Sequence, residues 1–172
     1  MTAQSAAEQI RRYLDEHEIN YSKEDNGNYI YFEYGYSMEE FSLGPVSCCI
    51  DITDEVISCV TVLESEVCMQ RRKQVGELIL RINDRDGEKF TIDLDTGIIS
   101  HVLEMSIQFD GRLSDEMIEM LVDWGVHVFG QYDSAFYSVM MYDADPKYVV
   151  ECMGAQEVEF LPDGNLRWYT MI

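Results

Sequence analysis

The chain has 172 residues, 47% of them hydrophobic and 12% aromatic, the composition of a folded protein able to bury a core of its own. Its 33 acidic residues against 12 basic ones give a formal net charge of -21, spread along the chain rather than gathered in a tail. A field of that sign repels phosphate backbones and anionic headgroups, so it argues against nucleic-acid binding and electrostatic membrane association and favours cationic partners.

The start, MTAQSAAEQIRRYLDEHE, has neither the basic opening nor the apolar core of a signal peptide. No run reaches the roughly 18 apolar residues of a membrane span, and the cytoplasm is the expected compartment. Ser5 and Glu8 have capping-box spacing ahead of a helix whose apolar stripe is Ala7, Ile10 and Leu14 and whose end falls near His17 to Ile19. Asn26-Gly27-Asn28 signals a turn, and Tyr29 to Tyr34 reads as an aromatic-rich strand broken at Gly35 or in the Ser37–Glu39 region. Phe41 to Leu43, Val46 to Thr53 and Val56 to Leu63 are β-type runs, separated by Gly44-Pro45 and Asp54-Glu55, which predicts an antiparallel meander.

Ser65 is placed to cap a second helix carrying Val75, Leu78, Ile79 and Ile82 at i, i+3, i+4, i+7, ended by Asn83-Asp84 and Gly87. Phe90, Ile92 and Leu94 alternate with polar residues, and Asp95-Thr96-Gly97 turns the chain into a hairpin partner from Ile98 to Phe109. Leu113-Ser114 then opens a long helix with a staple to Ile118, and Asp115 and Glu116 suit its positive end. Its one-face apolar pattern runs from Ile118 to Val139, and Met117, Met120 and Trp124 widen that face to roughly 200°, beyond the ~100° of a single packing contact. Such a helix needs two neighbours. Asp143 to Pro146 stops it, a short helix follows through Cys152, and Glu157–Leu161 with Leu166–Thr170 forms a small hairpin around Pro162-Asp163-Gly164.

Several clusters could carry chemistry. Five cysteines, Cys48, Cys49, Cys59, Cys68 and Cys152, form no CxxC pair and read as reduced structural thiols. Glu119, Asp123 and His127 share a face of the long helix and form the alternative reading, a metal-dependent hydrolase; an exposed ion pair accounts for them without a metal. His101 and Glu104 look like an HxxE ligand pair but on a strand point to opposite faces, and His17 sits among acidic residues at a helix end. Asp93 and Asp95 flank a turn, where Asp is favoured for backbone reasons, and Asp84-Arg85-Asp86-Gly87 lacks the ligand spacing of a calcium loop. The three His and five Cys offer no complete ligand set, so no metal or organic cofactor is expected. GxSxG, HExxH, Walker A and GxGxxG motifs are lacking.

The run Val75-Gly76-Glu77-Leu78-Ile79-Leu80-Arg81-Ile82-Asn83, the hairpin Phe90-Thr91-Ile92-Asp93-Leu94-Asp95-Thr96-Gly97-Ile98-Ile99, and the helix opening Leu113-Ser114-Asp115-Glu116-Met117 follow one another in an order that resembles the YbjN family of bacterial proteins. The resemblance covers residues 3 to 142 and implies the fold of type III secretion chaperones: α+β, in α-β-β-β-α-β-β-α order, with a twisted antiparallel sheet packed on helices. It implies no catalytic residues and a link to bacterial regulation. Residues 1–142 are accordingly one α+β domain and 143–172 a C-terminal extension packed on it, covering an edge strand or the broad helix face. The expected function is a non-enzymatic protein-binding module, chaperone-like or regulatory, with a homodimer and a basic client segment as partners. Met117, Met120, Trp124 and Val128 are the candidate surface, with core filling as the competing reading of the same residues.

Overall fold

The structure, a computed structural model, describes residues 2–22, 29–33, 42–106, 112–153, 157–160 and 166–169. The Asn26–Asn28 turn, the end of the first strand beyond residue 33, Phe41, and residues 107–109 of the predicted hairpin lie outside the described residues.

Helix α1 (Ala3–Glu16) starts a turn earlier than its capping-box signal, with Thr2 rather than Ser5 as N-cap. The physical reason is tertiary: the Ala3 N–H donates to Asp54 Oδ1 at 2.9 Å, which ties the helix start to the turn after the second strand. Ala7, Ile10 and Leu14 are buried as the stripe predicts. Strands β1 (Tyr29–Glu33), β2 (Val46–Ile52) and β3 (Val56–Leu63) form the expected antiparallel meander. Ser42 and Leu43 are a turn, not a strand, because their amides donate to the Asp133 carboxylate at 3.0 and 3.2 Å.

Helix α2 (Arg72–Asp86) begins well after Ser65, whose hydroxyl donates to the Leu43 carbonyl instead of capping. The Arg72 guanidinium spans the carbonyls of Val67, Leu94, Asp95 and Thr96 and so pins the helix start to the following hairpin turn. Asn83 and Asp84 lie inside the helix, which ends at Gly87, a left-handed C-cap at φ 75° that favours glycine. The Asn83 carboxamide reaches out of the helix and bonds both the N–H and the C=O of Phe90, at 3.0 and 2.8 Å.

Strands β4 (Phe90–Ile92) and β5 (Ile99–Ser106) pair antiparallel. β4 is shorter than its alternation suggests, since Asp93 Oδ1 accepts from the amides of Asp95 and Thr96 and turns the chain early. The sheet order is β1-β2-β3-β5-β4, which leaves β1 and β4 as edges. On β3, Ile57, Cys59, Thr61 and Leu63 are buried and the alternate residues only half-buried, so one face carries the core.

Helix α3 (Asp115–Tyr142) opens as predicted, with the Ser114 hydroxyl accepting from the Met117 N–H and the Leu113–Ile118 staple buried. It lies on β2, β3 and β5 and also touches α1, α2 and α4, so its broad apolar arc is largely filled from within the chain. Helix α4 (Pro146–Cys152), capped by Asp145, packs on α2 and α3 through Val149, and Arg85 donates to the Val150 carbonyl. Strands β6 (Glu157–Phe160) and β7 (Leu166–Tyr169) form a separate antiparallel pair.

Candidate functional site

The position of α3 against the sheet decides which of its residues can meet a partner. Gly125 sits directly over Thr61 of β3, and a Cβ there would overlap the threonine hydroxyl, so the glycine sets the helix-to-sheet distance. Residues on the same side of the helix as Gly125 are thereby core. Val128 is among them: at 1% exposure it packs inside its own chain and does not belong to the candidate surface, because an i+3 step from Gly125 keeps it over the sheet. Met117 is half-buried against the core, whereas Met120 is 40% and Trp124 36% exposed.

Beside these two exposed side chains α3 carries Glu119 and Asp123, with Asp115 a turn earlier. Burial and then the carboxylates of Glu119, Asp123 and Asp115 push the Tyr13 hydroxyl above its ordinary range, so the field of all three acids reaches this α1 residue. Asp123 is itself raised, by burial and by Glu119, against an opposing pull from His17. Among the described residues none of these three carboxylates has an ion-pair partner. Next to them, His17 stacks on Tyr13 at 4.0 Å between ring centroids and shares a hydrogen bond with the Tyr13 carbonyl, and the His127 ring lies 6.1 Å from that of Trp124. The result is a methionine and aromatic strip inside a negative rim, on the seam between α1 and α3.

The metal-site alternative fails on distance along the same helix. Glu119 and His127 are two full turns apart, roughly 12 Å of helix rise, too far to share one ion. Among the described residues no three His, Cys, Asp or Glu side chains converge as a ligand set. His101 and Glu104 point to opposite faces, as the strand alternation predicts: His101 is buried under the helices and Glu104 is exposed and bridged to Lys89 at 2.8 Å.

Sequence spacing did not reveal two buried polar pairs. Cys48 and Cys59, on neighbouring strands, bring their sulfurs to 3.1 Å, and the Cys59 thiol donates to the Leu121 carbonyl. The contact with Cys59, together with burial, pushes the Cys48 thiol well up, so Cys48 is an inert core group rather than a nucleophile. His101 places Nε2 at 2.8 Å from Glu88 Oε2 with its ring edge-on to Phe90, while Nδ1 finds no partner. Burial lowers the His101 pKa, against an opposing pull from Glu88 and a small lowering from Lys89.

A folded-state pKa below the unfolded value means the unfolded chain takes the proton first. Stability from this group is therefore present above pH about 6.5 and is lost as pH falls below it. Urea midpoints should drop on the acid side of that value in the wild type and drop less in His101→Gln; parallel curves for the two proteins would show that His101 titrates alike in both states.

Comparison with known proteins agrees with this fold. A family model described as "YbjN: Putative bacterial sensory transduction regulator" matches residues 6–138. The chain is similar to a solved structure of "YbjN, a putative transcription regulator from E. coli", with 14% identity and a TM-score of 0.53, over 74% of this chain and 87% of that one. An uncharacterized protein from Methanothermobacter thermautotrophicus is similar over 76% of this chain and 99% of its own, with 16% identity and a TM-score of 0.43. No curated protein matches. The family description is that of a regulator and not of an enzyme. No helix among the described residues is long and apolar enough to cross a membrane. With residues 6–138 matched by the family model, and with the α+β order expected of it, the chain belongs to the YbjN family.

Proposed function

We propose that this protein is a non-enzymatic regulatory module of a bacterial cytoplasm that acts by holding a basic, partly unfolded segment of a partner protein, in the manner of a chaperone. The observation that carries the reading is the strip of Met120 and Trp124, flanked by half-buried Met117 and rimmed by Asp115, Glu119 and Asp123 without ion-pair partners among the described residues. Methionine and tryptophan supply adaptable apolar contact, and unpaired carboxylates supply attraction for lysine and arginine. The whole-chain charge of -21 adds long-range steering of such a segment, which weakens as salt rises.

A fluorescently labelled peptide of alternating lysines and leucines is a direct probe. The wild type should bind it with an affinity that falls with added salt, and Trp124→Glu or Met120→Glu should weaken binding by about tenfold or more, in the range of an interface hot spot. Both side chains are exposed enough for the fold to survive, and circular dichroism and urea midpoints check that it does. A wild type that ignores this peptide, or variants that bind it as well as the wild type does, would remove the reading.

A further inference from the structure

Two of the chain's three histidines, His17 and His127, are exposed and border the strip proposed to hold a basic segment. His17 is the C-cap of α1, and its ring stacks on Tyr13 at 4.0 Å between centroids. Its Nδ1 lies 2.9 Å from the Tyr13 carbonyl, an oxygen that can only accept, so Nδ1 carries the hydrogen and Nε2 is the atom that takes up a further proton. The Nδ1 bond is the same in both charge states, so protonation adds a charge without releasing the ring. On α3, His127 follows Asp123 by four residues and Trp124 by three, which puts all three on one flank of the helix, with the His127 and Trp124 rings 6.1 Å apart.

The groups facing these rings decide what a proton does there. On α3 they are Glu119 and Asp123, with Asp115 at the helix start, and α3 contains no lysine or arginine, so His127 is its one side chain able to carry positive charge. Beside His17 in the chain are Asp15, Glu16 and Glu18, and the basic residues of α1, Arg11 and Arg12, lie more than a turn earlier. Burial and then Glu119 raise the Asp123 pKa, and His17 pulls it down, so the field of the imidazole at the end of α1 reaches a carboxylate of α3.

With neutral imidazoles, the strip offers carboxylates to a lysine or arginine. Protonation of both rings adds positive charge at its border, which repels those cations and competes with them for the same carboxylates. Histidine is the side chain whose chemistry places this change of charge between pH 5 and 8. We infer that His17 and His127 form a proton switch on the strip: neutral imidazoles admit a basic segment, and their protonation releases it. The inference rests on the peptide-holding reading above and adds its regulation. By linkage the effect is reciprocal, so a bound basic segment lowers the proton affinity of the two rings by the factor by which protons weaken its binding. His101, buried against Glu88 and Phe90, takes no part.

The labelled peptide of alternating lysines and leucines, titrated into the full chain at low salt over this pH range, tests the switch. The wild type should bind about fivefold more weakly at about pH 5.5 than at about pH 7.5, the size expected of two exposed charge interactions. In the His17→Gln/His127→Gln double variant that ratio should fall to near one, with each single variant between. Circular dichroism at each pH separates loss of binding from the acid-side loss of stability tied to His101. NMR of the imidazole C–H signals gives a second readout: saturating peptide should lower the titration midpoints of His17 and His127 and leave that of His101 in place. Binding that is unchanged across the range would overturn the inference and leave the peptide-holding reading standing. A double variant as pH-dependent as the wild type would overturn it equally, by assigning the effect to the carboxylates. A wild type that fails to bind at the higher pH would remove that reading and this inference with it.

Discussion

Replacing Phe90 by alanine is expected to cost about 3–5 kcal/mol of unfolding free energy, the range for truncating a fully buried aromatic residue. Phe90 is the first residue of edge strand β4, yet it is the hub of the aromatic core. Its ring meets Phe129, Tyr132 and Phe136 of α3 edge-on at centroid distances of 5.2, 5.5 and 5.2 Å, and His101 of β5 at 4.8 Å. Edge-to-face geometry adds to the gain from burial, so the loss should exceed that of an aliphatic residue of similar burial. The Asn83 carboxamide holds the backbone of the same residue, which keeps the ring from following a local shift of the strand. Urea denaturation of Phe90→Ala and Phe90→Leu checks this, with leucine recovering most of the loss. A cost below about 1 kcal/mol for alanine would mean the cluster closes over the gap.

Gly125→Ala is expected to destabilise by about 2 kcal/mol despite replacing glycine with the best helix former. The helix-propensity gain is about 1 kcal/mol, and overpacking typically costs about 1–3 kcal/mol and occasionally more. Overpacking wins because the added methyl meets the hydroxyl, Cβ and methyl of Thr61 at once, and Thr61 sits in the middle of a central strand that cannot retreat. The urea midpoint should fall with an unchanged slope, and Thr61→Ala in the same chain should restore part of it. An alanine variant as stable as the wild type would show that α3 can lift from the sheet without loss.

The order of elements was legible because each carries its own local signal. Period-3.6 stripes mark Val75, Leu78, Ile79 and Ile82 in α2 and the long run in α3, and all four positions of α2 are buried. Ser114 caps α3 as its sequence context predicts, since that cap needs only the next three residues. Caps set by distant groups were misplaced. Thr2 takes the place of Ser5 because Asp54 holds the helix start, and Ser65 caps nothing because Leu43 takes its hydroxyl.

For the candidate site the same division holds. Exposure of Met120 and Trp124 follows from their place at the margin of the α3 arc, and a helical wheel locates that margin. That the field of the acids around them reaches Tyr13 does not follow from the wheel, because it depends on where α1 crosses. Val128 shows the cost of reasoning from one helix: its wheel position is apolar either way, and only the sheet beneath Gly125 decides that it is core. By itself the sequence determined the α+β order, the family, the charge of -21 and the faces of each helix, all of which are local or additive properties. Tertiary structure alone decided which apolar residues remain at the surface and that His101 meets Glu88, because each depends on which distant segments meet across the sheet.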